Sequence, residues 1–412
     1  MAHNRKTLIV GAGCFGLSTA LELLKRGWTD VTLSTGPHSP APDAASNDLN
    51  KVVRTSYSDP FYAKFAQDAI ASWKNRDEWG DVYHESGVLI LSSRGGSDFD
   101  YTQKSYLNDL EMGLRVVFPP AAHVGDFSDL AGYLTRDGGW VEAARGSPPC
   151  TAKSLGEERG QRTTGVRCSD GTVFDADLVV LATGSWTGSA FPGVPTGGLF
   201  QATGHCIAVV QLTEDEGERY RKTPIVVDWK SGFSIFPPNE HNLIKMSVHS
   251  AGYTHRSGAN NNISTPRTIA SDPETGLLIP REDVKELRER LREVYPELAN
   301  KPFVATRLCW YCDSRDGDWV VGYHPQSDRS LVFATAGSGH AFKFLPVMGR
   351  LVADAIEDRL SPDLVAKFAV DRISDHPDGS RAGGGRVARE LDVSQMCKPE
   401  DLQWPGVRKA ML

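Results

Sequence analysis

The chain opens on a short unbroken apolar run, Lys6-Thr-Leu-Ile-Val10, which reads as a buried strand. Gly11-Ala-Gly-Cys-Phe-Gly16 follows as a turn. Apolar residues then recur at helical spacing, with Leu17, Ala20, Leu21 and Leu24 expected on one inward face and Gly27 as the stop. Val31-Thr-Leu33 predicts the next strand. Pro60 to Trp73 has helical periodicity through Phe61, Phe65, Ala69 and Trp73, and Thr102 to Gly113 predicts another helix. Tyr83 to Ser92 reads as strands, and Gly138-Gly-Trp140 as a turn before a helix start. Thr164 to Phe174 predicts a hairpin around Asp170-Gly171, and Asp177 to Trp186 a buried strand ending in a glycine turn. Gly204–Leu212, Ile225–Trp229, Phe233–Phe236 and Leu243–Val248 alternate as strands of a mostly antiparallel sheet. A helix over Asp283–Tyr295 presents Val284, Leu287 and Leu291 on one face. Ser330–Thr335 is strand-like, and after a second glycine-rich stretch the apolar helix Pro346–Leu360 begins. Residues 145–165 and 371–385 are breaker-rich and irregular.

The pattern predicts an α/β chain of two domains, which 412 residues can supply. One is a discontinuous Rossmann-like domain from 1–85, 130–200 and 305–370. The other is an antiparallel-sheet catalytic domain from 86–129 and 201–304, with 371–412 as a C-terminal tail. Strand, Gly-x-Gly-x-x-Gly, helix and strand fall within about thirty residues, the length of a dinucleotide-binding βαβ unit. Its glycines permit a tight turn and close approach of a pyrophosphate at a helix N-terminus. One element departs from the motif: Ser34-Thr35 stands where an acidic residue normally ends the second strand. Either a hydroxyl substitutes at the ribose, or adenosine binding is weakened.

Composition narrows the partners. The net charge of -7 gives no reason to expect nucleic acid or an anionic membrane, and no apolar run reaches a membrane span. Seven cysteines, an odd count, fit a reducing compartment, and a cytoplasmic location is expected. The last three residues, Ala410-Met-Leu412, are not a peroxisomal Ser-Lys-Leu signal. Cys309 and Cys312 lack a second ligand pair at zinc spacing, so no metal site is expected. His340 and His324 have no accompanying carboxylate–histidine cluster, and His324 is read as structural. Lys245 is conspicuous, an ammonium on a strand otherwise made of Leu243, Ile244, Met246 and Val248.

Several pieces together carry a family resemblance. They are Gly11–Gly16, Asp48-Leu-Asn-Lys51, Asp137-Gly-Gly-Trp140, Leu181-Ala-Thr-Gly-Ser-Trp186, Gly232–Glu240, Leu243-Ile-Lys245, Leu308-Cys-Trp310 and Gly337-Ser-Gly-His-Ala-Phe-Lys-Phe-Leu-Pro346. Over nearly its whole length the chain resembles the FAD-dependent amine oxidases that include monomeric sarcosine oxidase, pipecolate and saccharopine oxidases, and fungal fructosyl amino acid or peptide oxidases. The resemblance implies FAD joined covalently through Cys309, while the neighbouring Cys312 does not match. It implies cofactor contacts at Gly11, Gly13, Cys14, Phe15, Gly16, Ser34, Ser46, Lys51, Ala182, Gly184 and Trp186. Further contacts are implied along the flavin ring at Gly337, Ser338, Gly339, His340, Phe342 and Lys343. Lys245 matches the lysine held over the flavin and linked to oxygen activation.

Arg54 matches the arginine with which sarcosine- and pipecolate-type members clamp the substrate carboxylate, with Lys343 as its helper and Tyr57 lining the same pocket. Fructosyl-type members tend to lack it and use an arginine of a Trp-Arg-Trp-Arg-Pro-like tail. The tail here reads Val370-Asp-Arg-Ile-Ser-Asp-His-Pro377, in which Arg372 is the candidate replacement. Residues 145–165 are shorter than the family's helix and strand at this place. The implied reaction is hydride transfer from the carbon next to nitrogen of a secondary-amine amino acid to flavin N5. It yields an imine, with oxygen reduced to hydrogen peroxide by an enzyme expected to be a monomer. The rivals are a fructosyl amino acid oxidase, a dehydrogenase with non-covalent cofactor that ignores oxygen, and a flavin-deficient remnant without activity.

Overall fold

The structure, a computed structural model, describes residues 4–36, 44–117, 130–143, 162–168, 170–191, 194, 196, 198–256, 262–373 and 387–403. Two large sheets organise them. The first runs Val320–Tyr323, Leu331–Thr335, Leu178–Leu181, Thr7–Val10, Val31–Ser34. Its last four strands are parallel, and Val320–Tyr323 is antiparallel at one edge. The three inner strands are buried throughout, as a parallel sheet covered on both faces requires. Helices Cys14–Lys25 and Leu345–Ile356 pack together on one face.

The first helix does not bury the face its leucines suggest. Leu21 and Leu24 are exposed, and Phe15, Ser18, Thr19 and Leu23 face inward. The reason is close contact with the helix Leu345–Ile356. A Cβ at Gly349 would overlap the Ser18 carbonyl, and the Ser18 hydroxyl donates to Leu345 O at 2.6 Å and accepts from Gly349 N at 2.6 Å. Small residues make this interface, so apolar bulk is a poor guide to it. Gly27 ends the helix with φ of 85°.

The second sheet has ten strands and is mostly antiparallel. Its long strand Gln201–Gln211 pairs with Leu243–Val248 on one side and Phe303–Asp313 on the other. One face is sealed by the helix Arg281–Val294, which buries Val284, Leu287 and Leu291. Strand alternation sorts the residues cleanly. Ile244, Met246, Val248, Leu308 and Trp310 enter that core. Lys245, Arg307, Cys309 and Tyr311 therefore point to the other face. Two stretches expected in the Rossmann-like part, 130–135 and 305–313, pair into this sheet instead. Both expected boundaries thus fall within the larger sheet, because local periodicity says nothing about which sheet a strand joins.

A third small sheet joins Lys51–Val53, Gly139–Val141 and Tyr83–His84. Gly138-Gly-Trp140 is therefore part of a strand approach, not the start of a helix. A Cβ at Gly139 would overlap the His84 carbonyl, so the glycine serves close strand contact. Most of the irregular 145–165 stretch and of 371–385 lies outside the described residues.

Candidate active site

The Gly11–Gly16 turn leaves the first parallel strand with Gly11 at φ of 105°, a conformation suited to glycine. A Cβ at Gly11 would overlap Ala182 O, and one at Gly16 would overlap Gly11 O. Cys14 N donates to Ser46 Oγ at 3.1 Å, which ties the 44–50 loop to the helix start. The Cys14 thiol is pushed up to about 11, by burial above all, so it is an inert packing group. Ser34 is buried at the end of its strand with a hydroxyl that has no hydrogen-bond partner among the described residues. That orphaned oxygen lies where a ribose hydroxyl would meet the motif. On the strand side, Gly184 takes φ of 54° at the turn leading to Trp186.

Where the two sheets meet, three cations crowd one carboxylate and one thiol. Asp48 accepts from Lys245 Nζ at 2.7 Å and pairs with Lys51 Nζ at 2.7 Å. Lys245 also donates to Asn50 O at 2.6 Å and lies 4.8 Å from the centre of the Phe236 ring. Burial alone would raise the Asp48 carboxyl, but Lys245, Lys51 and Arg307 hold it far below the usual range. Burial lowers Lys245 to about 8 against the pull of Asp48. Cys309 is fully buried, with Lys51 Nζ and an Arg307 nitrogen each 3.9 Å from its sulfur. Arg307 is anchored by the carbonyls of Asn47 and Ala44. Cys312 lies one strand face away, its thiol bonded by Thr335 and pushed up to about 11 by burial, so the two cysteines do not form a pair.

The second glycine stretch follows the strand Leu331–Thr335. Ala336 and Ser338 both take positive φ, and Ser338 N donates to Cys312 O at 2.9 Å. A Cβ at Gly339 would lie 2.5 Å from Tyr311 and 2.8 Å from His249, so the loop runs against those rings. Tyr311 in turn stacks on His205 with centroids 4.0 Å apart. His205 Nε2 meets the Thr203 hydroxyl at 3.0 Å, and that hydroxyl donates to Asp313. These rings come together only through the register that sets His205 opposite Cys309 and Thr203 opposite Tyr311.

Lys343 is buried, and its ammonium donates to Tyr57 OH at 2.8 Å and to His340 O at 2.7 Å. Burial, then Arg54 and Lys51, push it well below the ordinary lysine range. His340 Nε2 lies 3.0 Å from Gly317 O and so carries the proton, which leaves Nδ1 to accept from Tyr57 OH at 3.1 Å. Burial and Lys343 keep this imidazole neutral. His340 therefore orients Tyr57, with its ring stacked on Trp319. Phe342 likewise turns into the core, parallel to Trp73 at 6.5 Å.

Arg54 is 5 % exposed, its guanidinium 4.5 Å from the Tyr57 ring centre and 4.7 Å from that of Trp229, with a hydrogen bond to Ser56 O. Neither Arg54 nor Lys343 has a carboxylate within ion-pair distance among the described residues. Arg372 is not available for a substrate. Its guanidinium holds both oxygens of Asp316 at 2.8 and 2.7 Å and the carbonyls of Trp319, Ala369 and Asp318. A salt bridge formed by a residue distant in sequence has claimed it.

Sequence reasoning missed Asp48 as the hub of the lysines, though its place three residues before Lys51 was a signal. It also missed Arg307 and Tyr311, which alternate with buried Leu308 and Trp310 and so share the face of Cys309.

A glycine cradle at a helix start, an orphaned ribose-side hydroxyl and a cluster of cations around Cys309 suit a large anionic dinucleotide. The chain matches the family model described as DAO, FAD dependent oxidoreductase, over residues 6–146 and 149–355. It belongs to that family. Members of this DAO family are FAD-dependent oxidoreductases, and the mixed sheets here are theirs. Among curated relatives, L-saccharopine oxidase of Schizosaccharomyces pombe is 28% identical over 402 residues, covering 87% of this chain and 92% of the relative. Amino acid oxidase imqH of Aspergillus flavus is 26% identical, covering 86% and 93%. Among solved structures, the deglycating fructosamine oxidase of Aspergillus fumigatus (Amadoriase II) superposes with a TM-score of 0.80 at 26% identity, covering 96% and 98%.

Proposed function

We propose that this DAO-family enzyme oxidises a secondary-amine amino acid, with Arg54 and Lys343 as the carboxylate clamp. The observation that carries this reading is that buried Arg54 and Lys343 meet at Tyr57 with no ion-pair partner among the described residues. A buried guanidinium without an ion pair is expensive, and a substrate carboxylate would offset it and favour the charged form of Lys343 beside it. The forked guanidinium takes the carboxylate and Tyr57 fixes the direction of approach, its hydroxyl set by His340 and Lys343. Trp229 and Tyr57 enclose the clamp and exclude water, which strengthens the pairing. Bound FAD supplies the two-electron acceptor for the carbon–hydrogen bond next to nitrogen, giving an imine, with oxygen reduced to hydrogen peroxide. The substrate amine must be neutral to release hydride, so the clamp's task is orientation.

Gly11, Gly13 and Gly16 would hold the pyrophosphate at the helix start, and Ser34 would accept or donate at the ribose. Lys51 and Arg307 flank Cys309, the residue that would carry a covalent flavin bond. Lys245, braced by Asp48 and Asn50 O, presents its remaining N–H as the cation at the oxygen site.

An oxygen-electrode screen of the holoenzyme with sarcosine, pipecolate, saccharopine and fructosyl-valine tests the reading. Turnover of one of the first three supports it. Peroxide from fructosyl-valine alone would replace it with the deglycating reaction, which the likeness to Amadoriase II favours. Absence of flavin absorbance would point to a remnant. For the cofactor bond, acid-precipitated wild-type protein is expected to stay yellow, while Cys309→Ala releases its flavin to the supernatant. A colourless wild-type pellet would exclude the thioether.

A further inference from the structure

The loop 314–318 joins the strand Phe303–Asp313, which bears Cys309, to the edge strand Val320–Tyr323. It carries none of the motifs that mark the site, yet its Gly317 carbonyl accepts from His340 Nε2 at 3.0 Å. The loop turns at Gly317 with φ of 82°, a conformation suited to glycine. An aspartate stands on either side, and each is held by a cation from residues 362–372. Lys367 Nζ donates to Asp318 at 2.8 Å and to Asp59, at the start of the helix Pro60–Trp73, at 2.7 Å. Arg372 takes both oxygens of Asp316 and also donates to Asp318 O. The Arg372 and Asp316 side chains are 12% and 9% exposed, so solvent screens this bidentate pair little.

Contacts therefore run without a gap from the tail to the clamp. Arg372 holds Asp316, and the neighbouring Gly317 carbonyl accepts from His340 Nε2. His340 Nδ1 accepts from Tyr57 OH, and the same phenol oxygen accepts from Lys343 Nζ. The direction of each bond is set at the Gly317 end. A carbonyl can only accept, so it places the single proton of a neutral imidazole on Nε2. With the proton on Nδ1 instead, His340 and Lys343 would both point a donor at the Tyr57 oxygen, and the phenol hydrogen would have to turn away. We propose that Arg372 is a positioning residue for the clamp: by fixing the loop through Asp316 it keeps the proton on His340 Nε2, and so keeps Tyr57 and Lys343 set to receive a carboxylate. This rests on the reading of Arg54 and Lys343 as the carboxylate site. The tail arginine serves substrate recognition without touching the substrate.

The test reads the proton and the clamp separately. Nitrogen-15 spectra of histidine-labelled holoenzyme, with His340→Gln to mark the signals of His340, are expected to show the Nε2-protonated tautomer in wild type. Arg372→Gln is expected to mix the two tautomers and to weaken calorimetric binding of acetate about tenfold, because the clamp loses its alignment. Arg372→Lys keeps the charge without the fork and should fall between the two. Asp316→Asn should match Arg372→Gln, and the double variant should bind no more weakly than either, since all break one link. A merely structural role would lower thermal stability without moving the proton. An unchanged His340 tautomer in Arg372→Gln, or acetate affinity equal to wild type, would overturn the proposal. Arg54→Ala separates the two levels: if it binds acetate like wild type, the clamp reading itself fails, while the His340 spectra still report whether Arg372 sets the proton.

Discussion

Arg54→Ala is expected to lower kcat/KM for the carboxylate-bearing amine by roughly a hundredfold or more, while the protein keeps its fold and its flavin. Removing one partner of a buried, hydrogen-bonded charge pair typically costs about 2–5 kcal/mol of binding, and 3 kcal/mol is about a hundredfold. Most of the loss should appear in KM, because the carboxylate is held equally in the ground and transition states. A smaller fall in kcat would report looser orientation of the reacting carbon. The free protein should not suffer. Among the described residues Arg54 has a hydrogen bond to a backbone carbonyl of its own loop and two aromatic faces but no ion pair, so the fold should tolerate its removal. Steady-state kinetics with the substrate and its carboxamide analogue would check this. Wild type should discriminate strongly between the two and Arg54→Ala hardly at all. If the variant lost kcat/KM equally for both, Arg54 would be acting on the fold or the flavin rather than on the carboxylate.

The parts of the fold that could be read from the chain are those where chemistry and local geometry coincide. Gly11 and Gly16 are forced by backbone contacts within one βαβ unit, so their spacing predicts the turn. Lys245 stands out because it interrupts apolar neighbours at a period of two, and the structure turns it to the face that carries Cys309. What stayed hidden depends on partners far along the chain. Arg372 reads as a free tail arginine until Asp316 is seen to hold it. Leu21 and Leu24 read as core until Ser18 and Gly349 bring two helices together. That His340 orients Tyr57 is hidden until Gly317 is seen to fix its tautomer and Tyr57 to take its free nitrogen. In each case the decisive partner is a tertiary contact, to which composition and spacing are blind.

The same contrast bears on the choice between substrates. Arg54 is buried among aromatic rings with no ion pair among the described residues, whereas Arg372 is locked to Asp316. Recognition by Arg54 is therefore favoured over recognition by the tail, and with it an amine whose carboxylate lies close to the reacting nitrogen. The overall likeness to a fructosamine oxidase carries less weight on this point, because it reflects the backbone and not which arginine is available.

Lys245→Met should separate the two halves of the reaction. Anaerobic reduction of the holoenzyme by substrate is expected to stay within about threefold of wild type, and reoxidation by oxygen to slow by about a hundredfold or more. The asymmetry follows from position. Lys245 has no contact with the Arg54 and Lys343 clamp, and its ammonium is directed at Asp48 and Asn50 O on the Cys309 side. Methionine fills the same slot without charge. Asp48 is not stranded by the change, since Lys51 remains 2.7 Å away, so the fold should tolerate it. The pH dependence gives an independent check. With Lys245 lowered to about 8, its ammonium is present below that pH and lost above it. The wild-type rate constant with oxygen should therefore fall as pH rises through about 8, and the Met variant should show no such step. Rapid-mixing measurements of both half-reactions across that range decide the matter. A Met variant that reoxidises at the wild-type rate would move the oxygen site away from Lys245, and would leave Lys51 or Arg307, the other cations beside Cys309, to supply it.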